Sequence, residues 1–258
     1  QESAVYAGYT RFTPSSDSRI LYVSSSGGND TNSGLSPNSP LRTIDAGYAR
    51  LRQGFPDFLL LKRGDIWEAQ IYWNRSGRSL SQPIVLGSYG IAGAPRPIIL
   101  SPNSVAAFGK WMLSSEPLSA DNLAISGIHF EPKSYQGDTP TSGISWLGDG
   151  SNILVEDCVV RGFSVNITIQ AYESYGNDKI RNVTFRRNII DNAFSRWDNG
   201  HSQGMFIHNL DGLLVEENIF DHNGYKDGTP LAEPTWFNHN IYITSYNANI
   251  VVRNNINA

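Results

Sequence analysis

A nine-residue pattern returns along the second half of this chain at a fixed interval, and few architectures can accept that. The copies Asn122-Leu-Ala-Ile-Ser-Gly-Ile-His-Phe130, Asn152-Ile-Leu-Val-Glu-Asp-Cys-Val-Val160, Asn182-Val-Thr-Phe-Arg-Arg-Asn-Ile-Ile190 and Gly212-Leu-Leu-Val-Glu-Glu-Asn-Ile-Phe220 begin 30 residues apart, at positions 122, 152, 182 and 212. A fifth, Asn249-Ile-Val-Val-Arg-Asn-Asn-Ile-Asn257, follows after 37 (249 against 212). Self-similarity at this period is the mark of a solenoid, whose repeats bury their apolar faces on one another.

Apolar residues alternate within each copy, which indicates strands. The second column (Leu123, Ile153, Val183, Leu213, Ile250) and the fourth (Ile125, Val155, Phe185, Val215, Val252) should share one interior. The fifth column (Ser126, Glu156, Arg186, Glu216, Arg253) should face outward, with charges alternating in sign from coil to coil. Strands stacked about 4.8 Å apart reward that order and penalise like charges. The seventh column ends Cys158, Asn188, Asn218, Asn255 and reads as an asparagine ladder at a bend, with Cys158 as buried packing. A second strand recurs around Ile144–Trp146, Ile167–Ile169, Gly204–Ile207 and Ile241–Ile243. Two or three short strands per turn predict an all-β fold, a right-handed parallel β-helix. A leucine-rich horseshoe would need a leucine consensus and a helical half-repeat, and the sequence has neither.

The N-terminal half reads as follows. Residues 1–19 are polar with scattered aromatics, an extended arm lying on the body. Residues 20–258 form a single domain: an opening module at 20–70, irregular coils at 71–121 and regular coils at 122–258. Ile20–Val23, Phe58–Leu61, Pro83–Leu86 and Pro97–Leu100 are expected strands. Leu41, Ile44, Tyr48 and Leu51 fall at helical spacing, which predicts an amphipathic helix over 41–52. An open solenoid end exposes an apolar cross-section and bare strand edges, so this helix is expected to cap it.

The segments Leu21-Tyr-Val-Ser, Gly28-Asn-Asp, Gly34-Leu-Ser-Pro, Pro40-Leu-Arg-Thr-Ile and Leu61-Lys-Arg-Gly-Asp-Ile-Trp67 resemble the N-terminal module of secreted bacterial β-helix proteins of the pectate-lyase-like superfamily. The resemblance covers most of the chain. It implies a secreted or cell-surface protein acting on polysaccharide, in a group that holds lyases, glycoside hydrolases, epimerases, tailspikes and non-catalytic surface proteins. The scaffold does not choose among these chemistries. Members usually continue for several coils, whereas this array stops within a repeat, which leads us to expect an uncapped C-terminal coil covered by another chain or a second copy.

Composition narrows the partners. A net charge of −4 disfavours nucleic acid. No apolar run approaches the ~20 residues of a membrane span, so no membrane insertion is expected. A single cysteine excludes an intrachain disulfide framework. A chain opening at Gln1 rather than methionine fits a mature secreted form.

Polar residues that are neither interior nor ladder collect after position 190. Asp191-Asn192 and Asp221-His222-Asn223-Gly224 fall at equivalent places on consecutive coils; His201 and Asn238-His239-Asn240 lie near equivalent second strands. Register should therefore gather Asp191, Asp221 and His222, and bring His201 near His239. The seven extra residues fall in 225–236, a loop able to wall this face. These residues could line a groove for acidic polysaccharide. A lyase needs a base beside the uronate carboxylate and a cation to neutralise it. His222, His239, Tyr225 or Lys226 could be the base; Arg196, or a calcium ion (Ca2+) held by Asp191 and Asp221, could be the charge. A hydrolase would need two carboxylates flanking the bond, from Asp191, Asp198, Asp221 and Glu233. Trp197, Trp236 and Tyr225 could stack on sugar rings, while His129 and His208 read as structural. The histidine spacing matches no transition-metal motif. Asp-Asn and Asp-His-Asn-Gly are equally good turn sequences, so a non-catalytic protein assembling end to end stands beside the enzyme.

Overall fold

In the computed structural model, which describes residues 10–102, 105–110, 120–171, 179–196 and 201–258, the repeat winds into three parallel sheets. The first sheet takes one strand from each turn, running from Ile20–Val23 through Phe58–Lys62, Ile84–Tyr89, Leu123–Ser126, Ser151–Glu156, Ile180–Arg186 and Leu210–Glu216 to Ala248–Arg253. The second includes Ser142–Leu147, Val165–Gln170, Gln203–His208 and His239–Ile243. The third, made of short strands such as Val159–Arg161, Ile189–Asp191 and Ile219–Asp221, occupies the end of each nine-residue copy, just past the ladder. Each coil thus carries three strands, and the irregular coils before residue 122 stack in the same sheets as the regular ones. This is a parallel β-helix.

Register follows the 30-residue spacing. Glu156 pairs with Ser126 and Arg186, Arg186 with Glu216, and Glu216 with Arg253. The second and fourth columns fill one core that runs from Leu21 to Phe220, except in the last coil, where Ile250 is only partly buried and Val252 is exposed. Inside the second sheet the rings of Trp73, Phe108 and Trp146 follow one another at 5.9 and 6.4 Å between centroids.

The bend between the first and third sheets sets the geometry of every coil. Asn188 Nδ2 donates to Asn218 Oδ1 at 2.9 Å, and Asn218 Nδ2 to Asn255 Oδ1 at 3.0 Å. Each amide also serves the backbone: Asn218 Nδ2 reaches Phe185 O, and Asn218 Oδ1 accepts from Asn188 N. Cys158 N donates to Asn188 Oδ1 and ends the row, and burial pushes its thiol up to about 12. Just before the ladder, Gly127, Asp157, Arg187, Glu217 and Asn254 all take left-handed backbone, with φ of 71, 53, 55, 56 and 55°. Left-handed backbone also occurs at the start of each copy, which explains Asn122, Asn152, Asn182 and Asn249 there and glycine at 212. These asparagines form a second, more exposed ladder: Asn152 Nδ2 donates to Asn122 Oδ1 at 2.8 Å and Asn182 Nδ2 to Asn152 Oδ1 at 2.6 Å.

Two expectations change. The helix expected over 41–52 is only Ile44–Tyr48, and it is too short to establish a cap. Leu41 is drawn into a parallel bridge with Val23 instead, and the Thr43 side chain caps the helix by accepting from Ala46 N at 3.2 Å. Ile44 and Leu51 still join the core. The outward charge column is not a solvated one either. Glu156 is fully covered, accepting from Arg186 Nε at 2.8 Å, Arg187 Nη1 at 3.0 Å and the backbone N of Thr10 at 3.1 Å. Arg186 in turn donates to the Thr10 hydroxyl. The arm therefore lies on the first sheet, where Phe12 also packs on an outer apolar patch that includes Tyr22, Phe58 and Leu60; residues 1–9 lie outside the described part. The final strands, His239–Ile243, Ala248–Arg253 and Ile256–Asn257, each pair along one side only among the described residues.

Two outcomes follow from these contacts. Asn218→Leu removes four hydrogen bonds at a position 1% exposed and leaves its partners unpaired, so urea unfolding should show a loss of at least about 2 kcal/mol. Glu156→Ala removes the carboxylate that anchors Thr10, so trypsin should cut after Arg11 faster than in the parent while the rest of the chain stays resistant; an unchanged cleavage rate would show that Phe12 alone holds the arm.

Candidate functional site

The short strands of the third sheet place one outward residue per coil in a single row: Glu131, Arg161, Asp191 and Asp221 occupy successive register positions. Neighbours about 4.8 Å apart must settle their charges against one another. Arg161 does so with both carboxylate oxygens of Asp191, Nε to Oδ1 at 2.9 Å and Nη2 to Oδ2 at 2.5 Å. Asp221, one coil further on, binds His222 Nδ1 through Oδ1 at 2.5 Å.

The next residue of each coil turns left-handed: Gly162 (φ 76°), Asn192 (φ 56°) and His222 (φ 49°) are equivalents in three consecutive coils. All three line one cleft of about 570 Å³. Its floor carries Arg161 and Tyr135, and its far wall is Tyr225, Lys226 and Asp227 from the long loop. The loop is held by Ala232, fully buried against Tyr135 and Phe194, and by hydrogen bonds from Lys226 N to Ala232 O and from Gly224 N to Ala193 O. The Lys226 ammonium rests 4.3 Å from the centroid of the Phe194 ring. Lys133, also on the cleft, is tied to Glu68 at 2.7 Å. Among the described residues Lys226 has no carboxylate partner, so it is the cation open to a ligand. Tyr225 stands beside His222, ring to ring at 5.6 Å.

A second cleft, of about 610 Å³, lies on the second sheet and is lined by His201, Gln203, Phe206, Trp236, Phe237, His239 and Tyr242, among others. His239 pairs in register with Gln203 and lies flat on Tyr242 at 4.8 Å, while Phe237 packs on His201 at 4.1 Å.

The structure therefore divides the residues that the sequence grouped. Asp191, Asp221 and His222 come together as the spacing predicts, and Tyr225 and Lys226 join them. His239 does not: it opens a strand of the second sheet, while His222 follows a strand of the third, and they line different clefts. His201 and His239 do line one cleft, the second, together with Trp236. Arg196 is exposed and lines neither cleft; its backbone N is fixed to Gly137 O at 2.7 Å. Trp197 and Asp198 lie outside the described residues. Calcium between Asp191 and Asp221 does not fit, because both Asp191 oxygens are engaged by Arg161, and the described residues contain no cluster of three metal-binding side chains. Asp191 and Asp221 are register neighbours, and each carboxylate is already engaged, Asp191 by Arg161 and Asp221 by His222. Asn223 is structural: its amide bridges Asn166, Asn240 and Ile190 O. Arg161 was absent from the sequence candidates although it stands one period before Asp191 (161 against 191), which is the signal that could have found it.

No protein-family model and no curated protein matches the sequence. Among solved structures the chain is similar to the GH136 lacto-N-biosidase of Eubacterium ramulus, at 18% identity over 78% of this chain and 41% of that chain, with a TM-score of 0.52. It is also similar to a rhamnogalacturonan lyase, at 13% identity over 89% of this chain and 62% of that chain, with a TM-score of 0.51. This chain spans less than two thirds of either. At such identities the likeness speaks to the fold, and it agrees with the parallel β-helix seen here.

His129, at the foot of the same wall, supplies a pH test. Burial, and then the nearby Arg161 charge, hold its imidazole down to about 4. The Asp191 charge pulls the other way, and Glu131 stands 3.3 Å from Nε2 without forming a hydrogen bond there, but burial prevails. Unfolded histidine takes its proton near 6.5, so between pH 6.5 and 4 the unfolded chain binds more protons than the folded one. Stability should fall as pH drops through that window, by up to roughly 3 kcal/mol. Urea midpoints measured across it should fall more steeply for the parent than for His129→Phe; equal pH dependence would show that His129 protonates freely in the fold.

Proposed function

We propose that the charged cleft binds an acidic polysaccharide and cleaves it by β-elimination beside a uronate carboxylate. The observation that carries this reading is His222, held by Asp221, lining the same cleft as Lys226, which has no carboxylate partner among the described residues. With Nδ1–H donated to Asp221, the neutral imidazole keeps its Nε2 lone pair for a substrate proton. Lys226 supports the carboxylate: an ammonium beside it stabilises the negative charge that develops when the adjacent carbon loses its proton.

The electrons then balance simply. His222 Nε2 takes the proton from the carbon next to the carboxylate; the electron pair of that C–H bond forms a new C=C bond as the C–O bond to the leaving sugar breaks. The leaving oxygen takes a proton from the Tyr225 hydroxyl or from water. Arg161, held by Asp191, shapes the floor and lends charge without moving. Acidic polysaccharides are extracellular polymers, so a secreted or cell-surface location accompanies this reading. No helix in the described residues is long and apolar enough to cross a membrane.

A second reading, a binding module without chemistry, draws support from the way Arg161 and Asp191 satisfy each other. It predicts affinity for the same polymers with no unsaturated product. Uronate polymers should be screened by the ultraviolet absorbance of the unsaturated sugar end. On a polymer that is cut, His222→Ala should lower kcat by at least about 100-fold with the circular dichroism unchanged, the usual range for a lost general base. Lys226→Met should lower kcat/KM, and Lys226→Arg should restore part of it. Binding without product would favour the module, and cleavage untouched by His222→Ala would remove the histidine from the mechanism.

A further inference from the structure

The second cleft differs from the first in what it lacks. None of its lining residues is lysine, arginine, aspartate or glutamate among the described residues; only His201 and His239 can carry charge. A carboxylate entering it would be desolvated without a cation to meet it, which is costly. A uronate-binding site is not built this way.

What the cleft does present is aromatic surface. Trp236 is 95% exposed, Phe237 50% and Tyr242 41%, three large apolar side chains gathered at one place on the rod. Contiguous exposed apolar surface of this kind marks a recognition site. Two of these rings, Tyr242 and Phe237, are also held in position. Tyr242 is fixed between Phe206, at 5.5 Å and 64°, and the parallel face of His239. Phe206 and Tyr242 are register partners on neighbouring strands, so their spacing is set by the sheet. Phe237 is braced by His201. Polar groups are few and placed at the base: Gln203 donates through Nε2 to Phe237 O at 2.8 Å, which leaves its Oε1 to accept, and His239 Nδ1 has no partner.

We infer that this aromatic cleft is a second carbohydrate site, selective for a neutral pyranose. A pyranose ring has an apolar C–H face and a rim of hydroxyls. The face matches exposed indole and phenol rings, and the rim matches a small number of fixed acceptors and donors. The volume is within the range of sites that hold ligands of several rings. The site stands on its own lining and does not depend on chemistry in the charged cleft.

Trp236 doubles as a reporter when its signal is taken as the difference from Trp236→Ala; among the other described tryptophans, Trp67, Trp73 and Trp146 are buried. The probes are neutral xylohexaose and cellohexaose, with hexagalacturonate as the acidic comparison, titrated by calorimetry and tryptophan fluorescence. At least one neutral probe should bind the parent protein and protect Trp236 from acrylamide, read as the quenching difference between the parent and Trp236→Ala. Trp236→Ala and Tyr242→Ala should each weaken that binding by about tenfold, the scale of one lost aromatic stacking contact. Affinity for hexagalacturonate should stay within twofold in both variants. Trp236 makes little packing contact, so its removal leaves the fold intact, and Trp236→Phe should retain part of the affinity. The inference is overturned if neither neutral probe binds at millimolar concentration, if both variants bind as the parent does, or if hexagalacturonate loses its affinity with Trp236. Neutral binding by a protein that ignores hexagalacturonate would uphold this site and overturn the uronate cleft instead.

Discussion

An amide buried at a bend has to find several hydrogen-bond partners at once, and in a β-helix the next coil's copy is the group best placed to supply them. Asn218 meets this demand with Asn188, Asn255, Phe185 O and Asn188 N. The arrangement works only when consecutive coils are stacked in register, because a slip of one residue would replace amide with side chains that cannot bond. The same bend holds Asp157, Arg187 and Glu217 in left-handed backbone, which is unfavourable for such residues on their own. The ladder offsets that cost in every coil. Bend and ladder together fix where each following strand begins.

Once register is fixed, side chains one period apart are obliged to interact. On the first sheet this buries Glu156 under Arg186, Arg187 and the N-terminal arm. On the third it ties Arg161 to Asp191. These are the same physical event on two faces of the rod, a charge column neutralising itself between coils. The candidate site lies where the column stops doing so. Asp221 has no arginine above it and turns to His222 instead, and the long loop that follows covers the side with Lys226 and Tyr225.

That loop also separates two kinds of surface. On one side is a cleft with an oriented imidazole and an unpartnered ammonium; on the other is an uncharged cleft paved with rings. The sheets hold Arg161, His239 and Tyr242 at fixed spacing, and the loop adds Tyr225 and Lys226 to one cleft and Trp236 to the other.

The sequence alone determined the sheet-forming columns, the register and the asparagine ladder. Each depends on side chains repeating at the period of one coil, and that period can be counted: Glu156, Arg186 and Glu216 read as partners before any coordinates exist. It likewise placed Asp191 beside Asp221, and His201 and His239 on one cleft. The sequence did not determine which face of the coil each pair occupies, because the angle between sheets arises at left-handed bends formed by residues such as Arg187 and Glu217, whose types do not announce such backbone. That angle is why His222 and His239 part company. Nor did helical spacing reveal that Leu41 would be taken by Val23, leaving a helix of five residues. Competition decided these points: a strand edge outbid a helical turn for Leu41, and Arg161 outbid any ligand for Asp191. Local pattern records what each residue can do, and only the packed coil decides which neighbour reaches it first.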